Sequence, residues 1–251
     1  MNNHIIRCVA LALVVLTLAA CGDDLEPTQP QDPKSTPMTF VVDYPGQTRA
    51  TATDFELGDR IGLYIADAKE PLELAGNLVN NEALTFDGNK WEAGRTLYWD
   101  EGTYHAYAYY PYMQDVTSVT DQPFSVSTDQ STQKTATALG GYEASDLLFA
   151  TTKDIKASDS PVRLTFKHIM SKLKIRLIKG EDFEGDMPTT AKVYIHNTVP
   201  TATIDLQAGV ATRYVKGTRQ TIVAHQDGDT SYSAIIVPQR IDNRQPLVEV
   251  E

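Results

Sequence analysis

The chain has 251 residues, 33 of them acidic and 22 basic, for a formal net charge of −11. That balance excludes nucleic acid as a partner, because phosphate recognition needs a basic footprint, and it argues against docking on anionic lipid through the protein surface. Two cysteines allow at most one disulfide.

The first predicted element is a targeting segment. Arg7 precedes the apolar run Val9-Ala10-Leu11-Ala12-Leu13-Val14-Val15-Leu16. The run falls short of the roughly 20 apolar residues that a membrane span requires. A charged start, a short apolar middle and small residues at the close make residues 1–20 a signal peptide. The close, Leu18-Ala19-Ala20-Cys21, resembles the lipobox of bacterial lipoproteins. That resemblance implies cleavage between Ala20 and Cys21 and acylation of Cys21, palmitate included, with anchoring in the outer membrane. Stable anchoring takes more than one acyl chain, which lipoprotein processing supplies. Cys8 then leaves with the signal and Cys21 carries lipid, so no disulfide holds the folded part.

Residues 21–37 form the expected lipidated tether. Four prolines and little apolar content between 22 and 37 cannot build a core. Its reach lies between roughly 20 Å as a coil and 50 Å as polyproline II. Asp23-Asp24 with Glu26 resembles the acidic export signal of surface-exposed lipoproteins, which implies the outer face of the outer membrane; acidity for solubility alone is the alternative.

From Met38 onward the pattern is short strands with turn signals. Thr39-Phe40-Val41-Val42 is β-rich and stops at Pro45-Gly46. Residues 60–65 alternate, with Ile61, Leu63 and Ile65 on one face. Residues 69–80 are the one stretch with room for a short helix. Asp87-Gly88-Asn89-Lys90 predicts a hairpin turn, with glycine supplying positive φ. Strands are expected at 96–99 and 103–110. In the latter Tyr104, Ala106, Ala108 and Tyr110 share one face and His105, Tyr107 and Tyr109 the other. Both faces are largely apolar, which predicts a central strand covered on both sides, ended by Pro111. A weak strand at 124–126 and an apolar run at 147–150 follow, and residues 153–160 read as a linker. Strands at 162–166 and 173–177 then alternate cleanly, each with one wet face. Further strands are expected at 191–195, 202–206, 220–224 and 232–237. The fold class is therefore all-β, as two sandwich-like domains at 38–157 and 158–251. Residues 246–251 read as a strand just begun, which suggests that the second domain is incomplete at its C-terminus.

The sequence holds no convincing enzyme chemistry. No Gly-x-Ser-x-Gly, His-Glu-x-x-His or phosphate loop occurs, and the chain is read as not an enzyme. His105 and His168 lie among strand residues and read as packing groups. The acidic runs at 181–186 and 227–229 lack the spacing of a calcium loop and read as turns, so no metal or cofactor is expected. The tyrosines between 104 and 112 suit a core better than a glycan platform, tyrosine being a favoured strand residue.

Three stretches together resemble the fimbrillin family, subunits of protease-matured pili. They are Thr48-Arg49-Ala50-Thr51 leading to residues 55–64; Tyr104-His105-Ala106-Tyr107-Ala108-Tyr109-Tyr110-Pro111; and Asp146-Leu147-Leu148-Phe149-Ala150 leading to residues 164–173. The resemblance implies two transthyretin-like β-sandwich domains and export to the cell surface as a lipoprotein. It implies cleavage by a trypsin-like protease after an arginine, here between Arg49 and Ala50, which removes the strand at 39–42. A strand from another subunit then fills the groove by strand addition. The expected function is thus a structural pilus subunit with a role in adhesion, its partners being other pilus subunits. The alternative is a permanently anchored surface lipoprotein of the same fold, a pilus anchor or an adhesin for glycan or host protein.

Overall fold

The computed structural model describes residues 36–45 and 55–251. Its elements in chain order are β1 (Phe40–Asp43), β2 (Arg60–Asp67), β3 (Val79–Phe86), β4 (Trp91–Ala93), β5 (Thr103–Tyr110), β6 (Gln122–Ser125), α1 (Gly141–Ser145), β7 (Leu148–Lys156), β8 (Val162–Thr165) and β9 (Lys167–His168). They continue with β10 (Ser171–Arg176), β11 (Val193–Thr198), β12 (Thr201–Asp205), β13 (Val210–Arg213), β14 (Gln220–Val223), β15 (His225–Gly228), β16 (Ser231–Ile236) and β17 (Val248–Val250). Among the described residues the structure is all-β apart from the short α1.

The largest sheet runs β4-β3-β2-β5-β7-β9 and is antiparallel throughout. Its middle strands are apolar on both faces, and each face has its own core. Ile61, Leu63, Ile65, Ala106, Ala108, Tyr110, Leu148 and Ala150 point into a cluster that holds Trp91 and Trp99, here the tryptophan core. Tyr64, Ala66, Tyr107, Tyr109 and Phe149 point the other way, into a cluster with Val193, Ile195, Ile204, Ile222 and Tyr232, the C-terminal core. Period-two alternation puts the two sets on opposite faces. The covered central strand expected from 103–110 is therefore observed.

Gly62 on β2 stands opposite Tyr109 on β5. A Cβ there would lie 2.3 Å from the Tyr109 ring, so only hydrogen fits. Tyr109 is held in turn by its hydroxyl, which donates to Asn81 Oδ1 at 2.6 Å. The β3–β4 hairpin forms as its sequence predicts. Gly88 has φ +96°, and Asp87 Oδ1 accepts the N–H groups of Asn89 and Lys90, each at 2.8 Å.

The other sheets are small: β1-β8, β10-β16-β15, β14-β11-β17 and β13-β12-β6. Pairing crosses residues 157/158 several times, since β1 pairs with β8, β9 with β7, and β6 with β12. The closing segment forms β17, which pairs antiparallel with β11.

Three local expectations are corrected. Residues 69–80 form no helix; they make bends before β3 starts at Val79. Asn77 Nδ2 donates to the Glu73 carbonyl and the Glu73 N–H to Asn77 Oδ1, the local side-chain bonding that competes with helix. Residues 96–99 form no strand. Leu97 and Trp99 are buried and Tyr98 exposed, as alternation predicts, yet pairing is limited to a single bridge between Tyr98 and Pro37. Residues 153–160 are not all linker, because β7 continues to Lys156 and pairs there with Thr103. Its polarity misleads: the strand is irregular here, with Asp154 at φ +57°.

Candidate functional site

The segment 36–45 reads Thr36-Pro37-Met38-Thr39-Phe40-Val41-Val42-Asp43-Tyr44-Pro45. Its alternation is realised in place. Met38 is buried, and Phe40, Val42 and Tyr44 pack against the tryptophan core, while Thr39 and Val41 face water. The backbone is held from two sides. At its start the Met38 N–H donates to the Leu97 carbonyl at 2.8 Å, and the Trp99 N–H to that of Thr36 at 3.0 Å. Further along, β1 runs parallel to β8, with Phe40 opposite Val162 and Asp43 opposite Thr165. The Val162 N–H donates to the Thr39 carbonyl at 2.8 Å and the Phe166 N–H to that of Asp43 at 3.0 Å. The strand thus bridges two segments that do not pair with each other.

Side chains set its position. Arg163 Nη1 donates to both Asp43 oxygens, at 2.8 and 2.6 Å, and Thr165 Oγ1 donates to Asp43 Oδ2 at 3.1 Å. The arginine side chain is 66% exposed and the aspartate 36%, and such a pair contributes roughly 0.2–1 kcal/mol. Full burial of a side chain like Met38 contributes roughly 1.5–3 kcal/mol. The apolar face therefore dominates the hold on β1, and the Asp43–Arg163 pair fixes its register.

At the far end, the Tyr44 ring meets that of Phe55 edge-on at 5.1 Å. Phe55 also meets Trp91 at 4.9 Å, Tyr110 at 5.4 Å and Phe166 at 5.7 Å, so its main hold is within the body of the protein. Just beyond it, Asp59 is 7% exposed. Its Oδ2 accepts the Glu56 N–H at 2.9 Å. Lys134 Nζ pairs with Asp59 Oδ1 at 3.1 Å and Glu56 Oε2 at 2.7 Å. Residues 55–59 are in this way fastened by rings and an ion-pair clamp, independently of β1. His168, which touches the Tyr44 ring at 6.1 Å, pairs with Asp146 at 2.8 Å and packs at this margin.

Cys21, Ala20, Arg49 and Ala50 all lie outside the described residues. What the structure describes is both flanks of the Arg49–Ala50 link: a seated strand ending at Pro45 and a fastened segment beginning at Phe55. Three features of the seat had no local signal in the sequence. These are the pairing of Asp43 with Arg163, 120 residues apart, the role of residues 97–99 as an edge, and the reach of Lys134 to Asp59.

The tyrosines of β2 and β5 are core residues. Burial, then the nearby Tyr112, pushes the Tyr64 hydroxyl up to about 12. Burial, with Asp59 and Tyr44 adding repulsion, pushes Tyr110 up as well. These phenols stay neutral and inside. Among the described residues no group of three or more His, Cys, Asp or Glu gathers as a metal site, and no helix is long and apolar enough to cross a membrane.

A family model described as fimbrillin-like matches residues 48–251. A Bacteroides uniformis protein named as a candidate fimbrium subunit, Fim1C, is 29% identical over 236 residues, covering 91% of this chain and 73% of that protein. A solved structure of a candidate cell adhesion protein from Bacteroides uniformis superposes with a TM-score of 0.60 at 24% identity, covering 84% of this chain and 76% of the other. A second, from Bacteroides ovatus and described in the same terms, gives 0.61 at 20% identity, with 85% and 81% covered. At these identities the structural likeness is one of fold.

Proposed function

Because the chain belongs to the fimbrillin-like family, we propose that it is a structural subunit of a cell-surface pilus with a role in adhesion, exported as a lipoprotein precursor on Cys21 and assembled by strand exchange after cleavage at Arg49. The related Fim1C protein, named as a candidate fimbrium subunit, supports the pilus role.

One observation carries the rest of the reading. Residues 36–45, with β1 at their centre, sit as one segment against β8 and the tryptophan core, and their covalent link to the body runs through 46–54, which contains Arg49-Ala50. Hydrolysis there adds water across the peptide bond, leaving a carboxylate on Arg49 and an amine on Ala50. The strand is then held only by its hydrogen bonds and apolar face. Residues 55–59 keep their own fastening to Phe166, Trp91 and Lys134. Departure of the strand takes Cys21 and its lipid away and frees the edges of β8 and residues 97–99. An extended strand from another subunit, alternating apolar and polar, meets the same requirements: main-chain hydrogen bonds for affinity and inward side chains for register.

N-terminal sequencing of the protein in assembled surface fibres tests this. Chains beginning at Ala50 are expected. Chains that keep Cys21 and the tether in every assembled subunit overturn the maturation step and leave the permanently anchored lipoprotein.

A further inference from the structure

Between Asp205 and Asp227 the chain has no acidic residue and three cations, Arg213, Lys216 and Arg219. In a chain of net charge −11 this is a local reversal of sign. The stretch forms β13, at one edge of the β13-β12-β6 sheet, and the turn toward β14. Among the described residues none of the three cations makes an ion pair. Between them Tyr214 is 43% exposed and Val215 is 80% exposed. A loop shaped only by water gains nothing from a tyrosine and a valine at its tip. An apolar centre rimmed by charge is the pattern of an interaction surface.

The complementary pattern lies between β10 and β11. Glu181, Asp182, Glu184 and Asp186 surround Phe183, which is 45% exposed, and Ile178 nearby is 77% exposed. Lys179 Nζ donates to the Gly185 carbonyl at 2.7 Å and lies 5.8 Å from the Phe183 ring centre. The loop's own cation thus folds it into a knob. The four carboxylates make no ion pair among the described residues.

We propose that these loops are the two halves of a contact between copies of this chain: the acidic knob at 180–186 of one copy seats on the basic edge at 213–219 of the next. The two surfaces differ, so the contact is heterologous, and its repetition closes a ring or extends a filament. Charge complementarity sets the pairing and its rate, and Phe183 against Tyr214 and Val215 supplies the apolar centre. The contact goes beyond strand exchange and does not depend on it, since neither loop belongs to the sheet or the core that holds β1.

A charge swap tests it, using sedimentation velocity on the full chain. One variant carries R213E, K216E and R219E, the other E181K, D182K and E184K; K216E and D182K alone form a milder pair. Every reversed residue is exposed except Arg213, which is half-buried at the end of β13; the milder pair K216E and D182K avoids it and should melt with the parent chain. The parent should self-associate, less so at 1 M salt, where the screening length shrinks from about 10 Å at 0.1 M to about 3 Å. Each reversed variant alone should associate about tenfold more weakly or worse, and an equimolar mixture of the two should recover. A parent chain monomeric at its highest soluble concentration, association that ignores the reversals, or a mixture that fails to recover would overturn the proposal. Loss of binding to a sulfated glycan by the basic-loop variant, with a monomeric parent, would assign that edge to glycan instead.

Discussion

Replacing Met38 with alanine asks whether β1 is a separable part of the molecule. Met38 is 7% exposed and packs in the tryptophan core. Truncating a buried methionine to alanine costs about 2–5 kcal/mol, depending on how far the site collapses. Pro37 and Thr39 on either side are exposed, so the seat has room to close and the lower part of that range, about 2–3 kcal/mol, applies. If the loss falls on β1 alone, local opening becomes roughly 30- to 150-fold more frequent, at 1.4 kcal/mol per decade. Native-state hydrogen exchange reads this directly. The N–H groups of Val162, Phe166 and Trp99 donate to carbonyls of residues 36–43 and should exchange faster by that factor. The amides that join β2 to β5 should keep their rates. Equal acceleration in β2 and β5 would refute the reasoning, because β1 would then open only with the whole molecule; so would an unchanged rate at Val162.

Two further substitutions probe the scaffold. Gly62→Ala places a methyl group 2.3–2.6 Å from atoms of the Tyr109 ring, and overpacking of this kind costs about 1–3 kcal/mol. For a body of this size that lowers the melting temperature by about 2–12 °C, and an unchanged melting curve would show that Tyr109 can move aside. The second concerns the hairpin carboxylate. Backbone N–H groups, that of Lys90 first and then that of Asn89, hold the Asp87 carboxyl below the usual carboxylate range. A lowered folded value means the contribution is complete above the unfolded value of about 4 and is lost as pH falls through the folded value. The Asn89 and Lys90 amide resonances should titrate in that acid window, and Asp87→Asn should abolish the titration; a titration that survives the substitution would assign it to another group.

The central strands β2 and β5 were legible because their chemistry is local. In 103–110 small and aromatic residues occupy both alternating sets, and the structure sends Ala106 and Ala108 to one core and Tyr107 and Tyr109 to the other. The hairpin at Asp87 was legible for the same reason: four consecutive residues contain all its bonds. The misread segments depend on what lies across from them. Leu97 and Trp99 alternate like a strand, but their neighbour is the short segment around Pro37, which has no N–H to offer a ladder. Residues 153–156 look like a loop because Lys153, Asp154 and Lys156 are polar and exposed, although Ile155 packs against the tryptophan core and pairing with Thr103 and Tyr104 persists. The polar strands β13 and β15 carry no apolar period and left no trace. At the site, the β-rich run 39–42 identified a strand, whereas its parallel partner 122 residues further along is a matter of topology that no local pattern encodes.

The two-sided hold on β1 also bears on time. Were the strand to leave, β8 and residues 97–99 would present unpaired backbone beside the hydrophobic floor that Met38 and Phe40 now cover. Such an edge accepts almost any extended chain, and only the side-chain register discriminates among them. An emptied groove is for that reason a short-lived species, open to wrong partners as well as right ones. On the proposed strand exchange, removal of the resident strand and arrival of its successor would have to be close events, and the seat itself would act as a clock on assembly.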